Sequence, residues 1–142
     1  MNPRAGAAAI FLAALSVANF SDVCLAASQE RLPVAFKWRS EYWPKGWRHW
    51  SQTAPDQWTE KYENGGEKKF RVLGRIKVGC EGLHLRAPDG TYEVFVPGSG
   101  CKSKWLLFRN VGLYAPTPQW IGQAEITEIE YKEAEPKAPP AR

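Results

Sequence analysis

Apolar and polar residues alternate one by one along most of the chain rather than recurring every third or fourth position, and a two-residue period predicts strands. Phe70, Val72, Ile76 and Val78 fall on one side of residues 69–79, with Arg71, Arg75 and Lys77 on the other, and Gly74 marks a bulge or a close approach. Leu83 and Leu85 alternate with His84 and Arg86, the chain turns at Ala87-Pro88-Asp89-Gly90, and Tyr92, Val94 and Val96 resume the pattern, which predicts a hairpin. Trp105-Leu106-Leu107-Phe108 is apolar throughout and predicts a central strand covered on both faces. Residues 124–131 end the series, with Thr127, Ile129 and Tyr131 on one face and Glu128 and Glu130 on the other. Residues 33–38 form a first strand. Residues 55–62 fit a short helix with Trp58 and Tyr62 four apart, or a strand running into Asn64-Gly65-Gly66. The alternation of Trp58, Glu60 and Tyr62 favours the strand. The expected fold is all-β: a small antiparallel β-sandwich or β-barrel of about six to eight short strands.

Two segments stand outside this pattern. Met1-Asn2-Pro3-Arg4 is followed by a run of small apolar residues over 5–20 and by Leu25-Ala26-Ala27, the composition of a secretory signal peptide over residues 1–27, cleaved after Ala26 or Ala27. Asn19, Ser21 and Asp22 interrupt the run before it reaches the roughly 20 residues of a membrane span. No later segment is apolar for long enough to cross a bilayer. At the other end, residues 132–142 are rich in proline and lack large apolar side chains, which predicts a disordered tail. A single β domain over residues 28–131, secreted or periplasmic, remains.

Secretion changes the reading of the cysteines. Cys24 leaves with the signal peptide, so Cys80 and Cys101 are expected to form one disulfide. A closed loop of about 22 residues would stabilise the fold by roughly 3.4 kcal/mol through the unfolded chain. Two cysteines and the isolated His49 and His84 have no metal-ligand spacing, so neither a metal nor another cofactor is implied.

The 142 residues carry a net charge of +4, unevenly spread. Residues 37–48 hold Lys37, Arg39, Lys45 and Arg48 against Glu41, while residues 125–135 hold five Glu against Lys132. No nucleic-acid-binding motif is present. Catalytic chemistry is equally sparse: there is no G-x-S-x-G elbow, and His84 lies opposite the apolar side of its strand, facing solvent. Glu81, Glu93, Glu125, Glu128 and Glu130 would serve a glycosidase only if two converged at about 5–10 Å. A solvated, charged edge strand is the simpler account of the last three. No enzyme is expected.

Composition then singles out one segment. Five of the seven tryptophans, Trp38, Trp43, Trp47, Trp50 and Trp58, lie within 21 residues, beside Phe36, Tyr42, four cations, Pro44 and Gly46. Pro44 and Gly46 break any regular element there. Some of these rings fill a core, but five core tryptophans interrupted in this way would be unusual, so Trp43 and Trp47, with Trp50, are expected on turns or a loop, and one or two of the five in solvent, Trp43 and Trp47 first. A flat ring suits the apolar face of a sugar, and neighbouring polar groups suit its hydroxyls. The candidate ligand-binding residues are therefore Tyr42, Trp43, Trp47, Arg48, His49 and Trp50. The expected function is a carbohydrate-binding, lectin-like module with a glycan or other extracellular ligand as partner. Two other readings stand beside it. One is a binder of anionic membrane surfaces. The other is a protein-binding inhibitor of a secreted enzyme, using residues 96–104 as a protruding loop.

Overall fold

The protein is described by a computed structural model over residues 30–133; the expected signal peptide and most of the proline-rich tail lie outside the described residues. Within them the chain forms nine strands: β1 (Pro33–Ser40), β2 (Gly46–Ala54), β3 (Gln57–Tyr62), β4 (Glu67–Val78), β5 (Cys80–Arg86), β6 (Tyr92–Pro97), β7 (Trp105–Asn110), β8 (Ile121–Glu125) and β9 (Thr127–Tyr131). Every neighbouring pair is antiparallel, and the spatial order is β8-β7-β6-β5-β4-β3-β2-β1-β9 in one sheet. The ambiguous residues 55–62 thus contain a strand.

Strands β8 and β9 are separated by Ile126 alone, yet β8 pairs with β7 while β9 pairs with β1. One broken terminal segment therefore holds both ends of the sheet, and the meander curls into a nearly closed barrel rather than a two-sheet sandwich. At the break Ile126 is buried, its N–H donates to the Lys104 carbonyl at 2.8 Å, and Glu128 adopts a left-handed φ of 49°. As expected, the glutamate-rich segment is solvated and lies at the edges of the sheet, β8 at one end and β9 at the other, with Glu128 paired to Lys37 at 2.8 Å in solvent.

Inward-facing residues follow from the register. Phe36 opposes Trp50, Trp50 opposes Glu60, and Trp58 opposes Phe70, so alternate residues of β1 to β4 point into the lumen. Phe36 packs on Trp50 at 5.5 Å and on Trp58 at 5.7 Å between ring centroids, and Trp50 lies 4.4 Å from Phe70. Leu85, Val94, Val96 and Leu106 complete this core. Burial of one such side chain contributes about 1.5–3 kcal/mol.

The bulge foreseen at Gly74 is present. Val72 opposes Leu85 and Gly74 opposes His84, leaving Leu73 as the additional residue, with Gly74 at a φ of 131°. It reverses the facing of everything downstream. Ile76, which opposes Gly82, moves to the outer face, so the four apolar positions of this strand do not share one side as the alternation suggested. Strand β7 departs too: Trp105 is exposed and Leu106 is fully buried, so the apolar run is not covered on both faces.

The outer face of β5 to β7 carries a second, smaller core. Trp120 crosses it, 6.1 Å from Phe95 and 5.6 Å from His84 between centroids, with the Arg109 guanidinium 4.4 Å from its ring. Phe95 in turn covers Gly82, where an added Cβ would strike the ring. Beneath lies Glu93, accepting from Arg86 Nη2 and Arg109 Nη2 at 2.6 Å each, with His84 Nε2 also at 2.6 Å. His84 is accordingly a half-buried partner of a carboxylate, not the solvent-facing side chain the alternation suggested. Burial alone would raise the Glu93 pKa, but the hydrogen bonds from Arg86, Arg109 and His84 outweigh it and hold the group at about 2.

At the end of the barrel holding the β4–β5 turn, Cys80 and Cys101 form the expected disulfide, with a Cα–Cα distance of 5.4 Å. It ties that turn to the β6–β7 loop across the β5–β6 hairpin. Replacing both cysteines with alanine is expected to lower the unfolding free energy by roughly 3.4 kcal/mol in a denaturant titration.

A second expectation concerns acid. Glu93 is depressed from 4.5 to about 2, so its stabilisation is complete above 4.5 and is lost as pH falls through about 2. Melting temperature measured between those values should fall more steeply for the native chain than for Glu93→Gln, which is already less stable at neutral pH.

Candidate functional site

The β1–β2 connection brings the aromatic and basic residues to the end of the barrel away from the disulfide. Pro44 and Gly46 do interrupt the strands there, as a five-residue turn over 41–45 with a cis Trp43–Pro44 peptide. The Ser40 hydroxyl accepts the Tyr42 N–H at 3.1 Å, and Arg48 Nη2 donates to the Pro44 carbonyl at 3.3 Å, so both flanks of the tip are tied down. Tyr42 is 81 % and Trp43 88 % exposed on it.

From Gly46 onward the chain is strand, not loop, and alternation separates the remaining candidates. Trp47 and His49 point outward. Trp47, 46 % exposed, lies under the Arg39 guanidinium at 6.0 Å, and its backbone N–H donates to Glu63 Oε2 at 3.1 Å. Arg48 and Trp50 point into the lumen. Trp50 is only 1 % exposed and belongs to the core, so it offers no surface platform; the large interior of a nearly closed sheet claims it. Its indole N–H donates to Glu60 Oε1 at 2.9 Å.

Glu60 is the unforeseen centre of this end. Its carboxylate is buried, and Oε1 also accepts from Arg48 Nη1 at 3.2 Å. The Arg48 guanidinium is sandwiched between the rings of Trp38 at 4.7 Å and Tyr62 at 5.1 Å. Burial first, and then the Glu60 charge beside it, pushes the Tyr62 phenol above its usual value. The same two causes act on Tyr92, whose hydroxyl accepts from Lys68 Nζ at 3.0 Å.

Above this pair a cavity of about 230 Å³ opens at the barrel mouth, lined by Trp38, Ser40, Tyr42, Arg48, Trp50, Glu60, Tyr92, Phe108 and Gln123. Of the six residues singled out from sequence, Tyr42, Arg48 and Trp50 reach it, Trp43 stands at the tip beside it, and Trp47 and His49 lie on the outer face. Glu60 carried a signal, since it sits between Trp58 and Tyr62 on one face of β3. A charge placed among aromatics on an inward face must be paired. Tyr92 and Phe108 come from strands more than 30 residues further along the chain, and only the register brings them here.

The chain matches no protein-family model, no curated protein and no solved structure. The chemistry of the mouth therefore rests on its own residues. It offers ring faces from Trp38, Tyr42 and Phe108, a guanidinium, and a carboxylate around one open cavity.

The energetic role of Glu60 is measurable. Glu60→Leu strands the Arg48 charge and the Trp50 N–H, and should cost about 3–5 kcal/mol in a urea titration. The double change Glu60→Leu/Arg48→Met removes both charges and should recover most of that loss.

Proposed function

We propose that this protein is a secreted or periplasmic carbohydrate-binding, lectin-like module whose ligand engages the β1–β2 tip and the barrel mouth. The observation that carries the reading is the exposure of Tyr42, Trp43 and Trp47 around one short turn, beside a largely aromatic cavity whose wall includes Arg48 and Glu60. Leaving large aromatic surface in water costs free energy that a ligand covering it returns. The rings supply apolar faces for sugar C–H groups; Arg48 and Glu60 supply a donor and an acceptor for hydroxyls. Residues 1–27 support secretion through their signal-peptide composition.

The inhibitor reading finds less support. Residues 96–104 do not protrude: Gly98 N–H donates to the Glu81 carbonyl at 3.0 Å, Ser99 N–H to the Arg31 carbonyl at 2.9 Å, and Cys101 is bridged and buried. The membrane reading shares the exposed rings and is separated by experiment.

Titrating immobilised glycans with the full chain should give binding accompanied by tryptophan fluorescence quenching. Trp43→Ala and Trp47→Ala should each weaken it about tenfold or more, with little change in melting temperature. Salt-sensitive binding to vesicles of anionic phospholipid, with no glycan bound, would favour the membrane reading instead.

A further inference from the structure

Resting on the carbohydrate reading, we infer that the mouth cavity admits the terminal residue of a glycan, so that the protein recognises chain ends rather than chain interiors. The argument starts from what lies beneath the cavity. Its wall includes Trp50 and Glu60, and behind them Phe36, Trp58, Phe70 and Leu85 pack at 1 % exposure or less, filling the barrel. A second cavity, of about 710 Å³, opens at the opposite end between Val34, Val72, Arg75 and Leu83, and shares no lining residue with the first. The lumen is therefore plugged between them. The mouth cavity is a dead end, which a polymer cannot thread and only its last unit can enter.

Size agrees with this. At about 230 Å³ the cavity lies below the range of roughly 300–1,000 Å³ that holds drug-sized ligands. It is also several times the roughly 30 Å³ that one water occupies in the liquid. The cavity's volume is of the order of one small ring.

Chemistry points the same way. The Trp38 indole N–H and the Arg48 Nε–H are both buried without a hydrogen-bond partner, and both residues line this cavity. Neither atom is open to the cavity; what the wall presents to a ligand is the ring faces of Trp38 and Phe108 beside the Arg48 and Glu60 side chains, which suit the C–H face and the hydroxyls of one sugar ring. The Trp58 N–H is likewise unpartnered, but it sits in the plug and not at the cavity. Tyr42, at the lip, and Trp43, beside it on the tip, would then contact the second and later units outside the barrel, where no wall limits chain length or branching.

The test is a panel of immobilised glycans in which terminal residues and internal sequences vary independently, probed with the full chain. The expected result is a bound set that shares a terminal residue whatever its interior, and loses at least tenfold in affinity when an exoglycosidase removes that residue. Gln123→Trp, which places a bulky ring at the lip on an exposed position, should abolish the preference without lowering the melting temperature. Trp38→Phe should weaken binding about fivefold or more and leave the quenching of Trp43 in place. A bound set defined by internal sequence, or cyclic glucans binding as well as linear ones, would overturn the chain-end inference and leave the carbohydrate reading standing. Binding to no glycan of the panel would overturn both.

Discussion

A sheet that curls back toward its own first strand encloses a volume, and its inward-facing side chains must fill that volume at the density of a crystal. Most of the molecule follows from this constraint. The meander supplies few inward positions per strand, so each must be large, and Phe36, Trp50, Trp58 and Phe70 meet the need near the middle of the barrel. Toward the mouth the filling stops short. There Trp38, Tyr92 and Phe108 form walls around a space instead of packing into it. The cavity marks where aromatic filling ends.

A charge within that filling is costly, and the surroundings of Glu60 show how the cost is offset. One carboxylate oxygen takes both the Trp50 N–H and the Arg48 guanidinium, and the guanidinium lies against two aromatic faces. The pair joins β2 to β3 inside the barrel, much as Glu93 with Arg86, Arg109 and His84 joins β5, β6 and β7 outside it. The two clusters differ in access. Trp120 packs on His84 and Arg109, two of the partners of Glu93, whereas Glu60 borders a space open to the mouth.

Strand identity was legible in the sequence because alternation reports local facing directly. The Leu83–Val96 hairpin, the strand over 57–62, the bulge at Gly74 and the cysteine pair all follow from neighbouring residues. Closure did not, because nothing local says that residues 121–131 break at Ile126 and serve two different neighbours. For the same reason the bulge was visible while its effect was not: that Ile76 ends on the outer face depends on what β5 offers opposite it. Five clustered tryptophans look alike in composition, yet strand parity sends Trp38, Trp50 and Trp58 inward and Trp47 outward, and only Trp43 rides the turn. Tyr92, Phe108 and Gln123 reach the mouth through register alone.

The disulfide and the aromatic tip lie at opposite ends of the barrel. The cross-link and the pinned residues 97–101 lie at the far end. The near end carries a five-residue turn, none of whose side chains belongs to the buried core. Rewriting Tyr42 and Trp43 therefore leaves the filling of the barrel intact. One scaffold of this kind could carry many different tips, with recognition changing by exchange of a short segment while the fold is inherited unchanged.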